Sequence, residues 1–492
     1  MTNWIATLPS GKGPMYLRLA EQIANDITVG RLPPGAKLPP QRDLAYDLSI
    51  TVGTVGRAYA LVRERGLVSG EVGRGTYVLG STNAQAQSQH DVVTHTPAHH
   101  RQTNSPRTPL PKDDPDFGGT RTFLPPPDMV RMDSTSAIEV GQATLVRELL
   151  DSITREHPYE IASYTRDQPQ SWRKAGKQWL TQANWSPELE SIVPTLGAHS
   201  AIMAVIAATT RPGDRIVFEE LTYSSISRAV ALAGRVPAPA ARDEHGPLPE
   251  DLDRLCSQTH PKGIFLMPTM HNPTLSIMSE ERRHAIIDIA RQHNLWIIED
   301  EVYGTLRAHS LPALASMAPE RTFHVGSLSK AVAAGVRGGW ISCPPAQTQR
   351  VMTAHKMLSG GISFLLAELS ARLVLSGAAD DIKSRVLTDM KARHAIAESY
   401  LKDYDFNSAP DAPFLWLKLP EPWLPGTFKA ASAAEKILID DEDEFKTGRS
   451  ERTHHRVRMG FTNPVTHEDT ANAFATLKQL LDGSSCAYDS FE

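Results

Sequence analysis

Apolar residues along the first eighty positions follow a helical spacing three times in succession. Tyr16, Leu19, Ala20, Ile23 and Ile27 share one face of a helix of about four turns, which Gly30 and Pro33-Pro34-Gly35 stop. A second short helix fits Gln41 to Leu48. Thr51 is placed to cap a third that runs to about Arg65 with Val55, Ala58, Tyr59 and Val62 inward. Two short strands follow around a glycine-containing turn, Gly66-Leu67-Val68 and Glu71 to Val78. Three helices and a hairpin in that order predict a winged helix-turn-helix.

From Ser81 to Asp116 the pattern disappears. Five prolines and many Gln, Ser, Thr and His surround only Val92, Val93 and Leu110 as large aliphatics, too few to form a core. Such a stretch predicts a flexible linker spanning about 30 to 36 Å as a random coil. Beyond it, short apolar runs (Ser191 to Thr195, Arg215 to Phe218, Gly263 to Met267, Leu295 to Ile298, Thr322 to Val325, Trp340 to Ser342) alternate with amphipathic stretches such as Ser279 to Gln292, which predicts an α/β domain. A long helix over Asp381 to Tyr400 and a strand at Phe414 to Leu419 predict a smaller C-terminal α+β subdomain. The expected division is 1–80 for the winged helix, 81–117 for the linker, 118–482 for the α/β body and 483–492 for a tail.

Composition narrows the class. With 492 residues, 40% hydrophobic and 22% charged, the chain is long enough for more than one domain. It shows no apolar run near the ~20 residues a membrane span needs. The N-terminus lacks a basic region followed by an apolar run, so a cytoplasmic location is expected. Cys256, Cys343 and Cys486 are too few for a disulfide framework or a structural zinc site, and no metal is expected. The net charge of −5 conceals an asymmetry: residues 1–80 carry nine Lys/Arg against six Asp/Glu, leaving −8 for the remainder.

The first unit resembles the GntR-type DNA-binding domain over residues 14–78, in Gly30-Arg31-Leu32-Pro33-Pro34-Gly35, Leu38-Pro39-Pro40-Gln41-Arg42-Asp43-Leu44-Ala45, Thr54-Val55-Gly56-Arg57-Ala58-Tyr59 and the wing Gly73-Arg74-Gly75-Thr76. Its third helix is expected in the major groove of double-stranded DNA. Thr51, Gly53 and Thr54 would then approach bases or phosphate, and Arg42, Arg57 and Arg74 would offer charge to the backbone or minor groove. Val52 stands where the family commonly carries arginine.

In the α/β body, polar motifs follow predicted strands: Leu196-Gly197-Ala198-His199-Ser200, then Tyr223, His271-Asn272-Pro273-Thr274, Glu299-Asp300-Glu301-Val302-Tyr303 and Gly326-Ser327-Leu328-Ser329-Lys330, with Arg337-Gly338-Gly339 seven residues on. Strand ends are where open α/β sheets bind ligands. These residue types are those a pyridoxal phosphate site needs: an amine, a carboxylate for the ring nitrogen, donors for the ring oxygen and cations for phosphate. The order resembles fold-type I aminotransferases, and the whole chain is similar to the MocR subfamily of GntR-type regulators. That resemblance implies Lys330 as the Schiff-base lysine, Asp300 at the ring nitrogen, Asn272 and Tyr303 at the ring hydroxyl, and Tyr223 stacked on the ring. It implies Ser327, Ser329, Arg337 and the amides of Ala198 and His199 at the phosphate.

Arg458 matches the arginine that holds a substrate carboxylate, with Arg456 as an alternative two residues away. Tyr164 resembles a tyrosine that reaches the phosphate of the neighbouring subunit, which implies a homodimer. The acidic run Asp440 to Glu444 reads as a solvated loop. Two functions are consistent with these motifs. One is a DNA-binding transcriptional regulator that senses an amino-containing small molecule, or pyridoxal phosphate itself, with transaminase or half-transamination activity left open. The other is a working aminotransferase that carries a DNA-binding domain.

Overall fold

The computed structural model describes residues 15–33, 36–48, 50–65, 67–71, 75–79, 128–182, 184–307, 311–448 and 452–483. The expected linker 81–117, the tail beyond residue 483 and Arg74 lie outside the described residues. The chain divides into two compact units, Met1–Pro109 and Leu110–Glu492.

In the first unit, helices α1 (Met15–Thr28), α2 (Gln41–Asp47) and α3 (Val52–Glu64) form where the apolar spacing places them. Leu19, Ala20 and Ile23 of α1 pack with Val55, Ala58, Tyr59 and Val62 of α3 in one core. Thr51 caps α3 by accepting the Thr54 amide at 3.2 Å, which satisfies one of the donors a helix start leaves unpaired. The buried Tyr59 hydroxyl donates to the Pro39 carbonyl at 2.8 Å, fastening α3 to the chain that enters α2. The wing is a three-stranded sheet rather than the expected hairpin alone. Strand β1 (Lys37–Leu38) pairs antiparallel with β3 (Gly75–Val78), which also pairs with β2 (Val68–Glu71). Two residues of strand carry no periodicity to detect.

The second unit is built on a seven-stranded mixed sheet of β4 (Ile192–Thr195), β5 (Arg215–Glu219), β6 (Val236–Ala240), β7 (Gly263–Leu266), β8 (Trp296–Asp300), β9 (Thr322–Ser327) and β10 (Gly339–Ser342), in the order β4-β10-β9-β8-β7-β5-β6. Only β10 runs against its neighbours. The inner strands are buried along their length, as expected of a sheet covered on both faces. Edge strand β6 escapes a reading by pattern because Pro237 and Pro239 interrupt it, and an edge is where proline is tolerated.

Helices α4 (Gly197–Thr209), α5 (Ser224–Leu232) and α6 (Glu280–Gln292) follow strands of this sheet or the turns after them. A smaller antiparallel sheet combines β11 (Phe406–Asn407), β12 (Phe414–Lys418), β13 (Asp440–Asp441) and β14 (Arg456–Gly460) in the order β11-β12-β14-β13. Helices α7 (Ala378–Leu401) and α8 (His467–Asp482) pack together beside it.

The acidic run is not a solvated loop. Asp440, Asp441, Glu442 and Glu444 are all buried. Lys446 pairs with Glu442 at 3.0 Å, Lys429 lies 3.5 Å from Asp441 and 3.6 Å from Glu444, and the His454 amide donates to Glu442 at 2.8 Å. Lysines and backbone amides packed against the run supply the partners that buried carboxylates require.

Candidate functional site

Strand β9 ends at Ser327 and the chain turns at once to present Lys330. The turn is held internally: the Ser327 hydroxyl donates to the Gly338 carbonyl at 2.9 Å, while the Ser329 amide donates to Ser327 Oγ at 3.2 Å. The Ser329 hydroxyl lies 2.9 Å from the same oxygen. Lys330 Nζ donates to Thr135 Oγ1 at 3.1 Å and sits 5.3 Å from the centre of the Tyr303 ring. Thr135 Oγ1 is in turn 2.5 Å from the Tyr303 hydroxyl. Thr135 carries no signal in the sequence, because it lies in an irregular stretch brought to the lysine turn by the Ala137 amide, which donates to the Ser329 carbonyl at 3.2 Å.

Strand β8 and the residue after it deliver three consecutive carboxylates, and alternation along a strand sends the middle one to the opposite face from its neighbours. Asp300 is buried, and its Oδ1 accepts the Val302 amide at 3.0 Å. Burial pushes its carboxyl up to about 6, opposed by that amide and by the Lys330 ammonium. Glu299 accepts the amides of Leu314 and Ala315 at 2.7 and 3.1 Å and meets His324 Nδ1 at 2.7 Å. Although burial opposes it, the imidazole and these donors hold the Glu299 carboxyl below its ordinary range. Among the described residues Glu301 has only Thr269 as a side-chain hydrogen-bond donor, at 2.6 Å, and burial with the Glu299 charge raises it to about 7.

Near the other end of the site, α4 begins at Gly197, whose φ of +80° lies in the left-handed region. A Cβ on Gly197 would stand 3.6 Å from the Arg337 carbonyl oxygen and 3.8 Å from its guanidinium carbon, so Arg337 lies beside the helix start. Ala198 and His199 occupy the first turn, where backbone N–H groups have no partner within the helix. His199 is held below its ordinary range by burial and then by the Arg337 charge. Arg337 is exposed and pairs with no carboxylate among the described residues. Tyr223 precedes α5, its ring 6.5 Å from that of His199 at 82°.

Asn272 follows β7 and is buried. Its Oδ1 accepts Arg458 Nη1 at 2.9 Å, so the amide and the arginine expected at the ligand are joined. Arg456 donates instead to the Trp416 carbonyl and to Asp405, at 3.1 and 3.3 Å. Tyr164 stands apart from this cluster. It is 89% exposed and lines a groove of about 1260 Å³ with Met352, His355, Met357 and Phe364.

On the first unit, Thr51, Gly53 and Arg57 are exposed and Thr54 is half-buried, its hydroxyl 2.9 Å from that of Thr51. Arg42 lies in α2, with its side chain outside the described residues. A Cβ on Gly56 would come within 3.2 Å of Gln41 Oε1, so this glycine allows α2 and α3 to approach closely.

The comparisons with known proteins bear on both units. Residues 147–422 match the description "Aminotransferase class I and II". The chain belongs to this family. Residues 15–78 match "Bacterial regulatory proteins, gntR family", and the two together give the organisation of the MocR subfamily of transcriptional regulators. The HTH-type transcriptional regulator YdeF of Bacillus subtilis is 29% identical over 98% of this chain and 97% of its own. The Vitamin B6 salvage pathway transcriptional repressor PtsJ of Salmonella typhimurium is 26% identical over 71% of this chain and 72% of its own. An archaeal alanine:glyoxylate aminotransferase shares the fold with a TM-score of 0.65 and 20% identity, covering 72% of this chain and 91% of that one.

The class I and II family depends on pyridoxal phosphate. The side chains present fit that group: an amine at Lys330 lies near a buried carboxylate at Asp300, with Tyr303 alongside, and a guanidinium with no carboxylate partner among the described residues borders a helix start. In this MocR-type chain no helix among the described residues is long and apolar enough to cross a membrane.

Proposed function

We propose that this chain regulates transcription by binding operator DNA through its gntR-type unit and sensing an amino-containing small molecule through its aminotransferase-like unit. The observation that carries this reading is the presence, in one chain, of the regulator domain and of a donor set suited to pyridoxal phosphate.

In this reading Lys330 holds the cofactor covalently, Asp300 faces the ring nitrogen, Asn272 and Tyr303 lie at the ring hydroxyl and Tyr223 covers the ring. Arg337, Ser327, Ser329 and the Ala198 and His199 amides receive the phosphate, and Arg458 lies at the ligand end. When bound, pyridoxal phosphate supplies an electrophilic carbon for amines and an electron-accepting ring. Thr135 and Tyr303 form the relay beside the Lys330 amine, each able to give or take a proton at its hydroxyl. A carboxylate at Asp300 favours a protonated ring nitrogen by its charge.

DNA contacts fall to Thr51, Gly53, Thr54, Arg57, Arg42 and Arg74, with the linker 81–117 joining units 1–80 and 118–482. Tyr164, exposed beside Met357 on the large groove, supports a homodimer in which it serves the partner's phosphate. A cytoplasmic location accords with a DNA-binding role.

The test uses purified full-length protein with pyridoxal phosphate. A visible band and a borohydride-trapped mass increase are expected, both lost in Lys330→Ala, together with operator binding that responds to an amine. A colourless, untrapped wild-type protein contradicts the cofactor role. A second reading, a working aminotransferase, is favoured by the completeness of the Lys330, Asp300, Asn272 and Tyr303 set. Rapid steady-state transamination without amine-responsive DNA binding would establish it instead. Similarity to PtsJ supports pyridoxal phosphate itself as a further candidate signal.

A further inference from the structure

The residue expected to receive a ligand carboxylate already holds one. Arg458 on β14 and Asp440 on β13 are register partners across the antiparallel pair, and Arg458 Nη2 donates to Asp440 Oδ2. Both side chains are almost wholly buried, at 2% and 1% exposure. The remaining contacts of the guanidinium are made by the protein as well. Nη1 donates to Asn272 Oδ1 at 2.9 Å and Nη2 to the Asp133 carbonyl at 3.0 Å, while the rings of Phe414 and Phe445 lie 5.3 and 4.8 Å from its central carbon. Arg458 Nε has no hydrogen-bond partner among the described residues.

A buried guanidinium needs a counter-charge, and β13 provides one within the fold. An incoming carboxylate would have to displace Asp440, which strand pairing holds against the arginine at high effective concentration. The displaced aspartate would then have to find another partner in a wall that already buries Asp441, Glu442 and Glu444. An amine with no carboxylate on its amine-bearing carbon meets neither cost.

We infer that Asp440 is a specificity-determining residue that occupies the carboxylate seat on Arg458, so that the site accepts primary amines lacking an adjacent carboxylate and discriminates against α-amino acids. This inference rests on the proposed reading of the site as one that binds pyridoxal phosphate and an amine. It concerns which amine is admitted.

The experiment titrates cofactor-loaded full-length protein with matched pairs, phenethylamine against phenylalanine and 3-methylbutylamine against leucine, following the visible band. In the wild type each amine should act at a concentration at least about tenfold lower than its amino acid. In Asp440→Asn, which keeps the size and an acceptor oxygen but removes the charge, that ratio should fall by about tenfold or more as the amino acids gain. A counter-ion that merely stiffened Arg458 would leave the ratio unmoved, and an unchanged ratio overturns the inference. A wild type that responds to the amino acids as readily as to the amines also overturns it, as does a wild type that responds to neither, and this holds even where Asp440→Asn fails to fold. Absence of the band before any amine is added is a separate result, which removes the cofactor reading and this inference with it.

Discussion

Asp300 is costly to bury without a partner, and that cost gives a prediction with two arms of opposite sign. Burial moves its carboxyl from 3.8 to about 6 in the cofactor-free fold. At ~1.4 kcal/mol per unit, this corresponds to about 3 kcal/mol by which the charged form disfavours folding. Because the folded pKa lies above the unfolded one, the folded state binds the proton more tightly. The penalty is therefore absent below about pH 4, grows as pH rises through 6 and is complete at about pH 8.

Asp300→Asn keeps an oxygen to accept the Val302 amide and removes the charge. The cofactor-free variant should thus be more stable than the wild type by up to about 3 kcal/mol at about pH 8, with the difference vanishing toward pH 4. Shifts carried by Glu301 and His324 are present in both proteins and cancel to first order. With pyridoxal phosphate the sign reverses: loss of the carboxylate facing the ring nitrogen should weaken binding by about 100-fold or more. Denaturant unfolding of the large unit at both pH values, paired with cofactor titration by absorbance, measures both arms. A variant no more stable than wild type at about pH 8 refutes the desolvation argument. Undiminished cofactor affinity refutes the role at the ring.

The remaining predictions address the two ends of the chain's chemistry. Arg57→Ala removes an exposed charge on α3 and should weaken operator and non-operator DNA alike, lowering the slope of log affinity against log salt by about one; an unchanged slope removes Arg57 from the phosphate contacts. Gly339→Ala places a Cβ 2.8 Å from Gly197 Cα, where backbone must yield, so it should cost about 1 to 3 kcal/mol of stability in denaturant melts and weaken cofactor phosphate binding. Retained affinity in a destabilised Gly339→Ala protein would separate the packing of α4 from anion binding.

The parts of this molecule that could be read in advance are those specified by nearby residues. Helices α1 to α3 follow from apolar spacing and a threonine cap, and Thr51 acts within three residues of itself. Lys330, Asp300 and Asn272 were legible because each follows an apolar run that forms an inner strand, and the ends of inner strands converge. What was not legible depends on partners distant in sequence. Thr135 meets Lys330 across 195 positions, and nothing in its own neighbourhood marks it. Asp440 to Glu444 resembled a solvated charge run because sequence shows the density of charge but not the arginine, lysines and amides folded around it. Tyr164 remains a matter of resemblance, since a single chain leaves its side chain exposed.

Sensing requires more than a site. A ligand shifts operator affinity only by the difference in its binding free energy between two forms of the protein, however tightly it binds either one. Residues 130–135 bear on that requirement, because Val130–Arg131 is the first strand described in the large unit. Val130–Arg131 pairs with Ile437–Leu438, the Met132 amide donates to the Leu438 carbonyl at 2.8 Å and the Gly460 amide to the Met132 carbonyl at 2.6 Å. Two further ties come from the site itself: Arg458 donates to the Asp133 carbonyl and Lys330 to the Thr135 hydroxyl. A ligand that draws the Lys330 amine into its own contacts therefore acts on a group that anchors this stretch. Its energy of binding then differs between a form in which residues 130–135 keep those ties and one in which they do not, and that difference is what linkage requires.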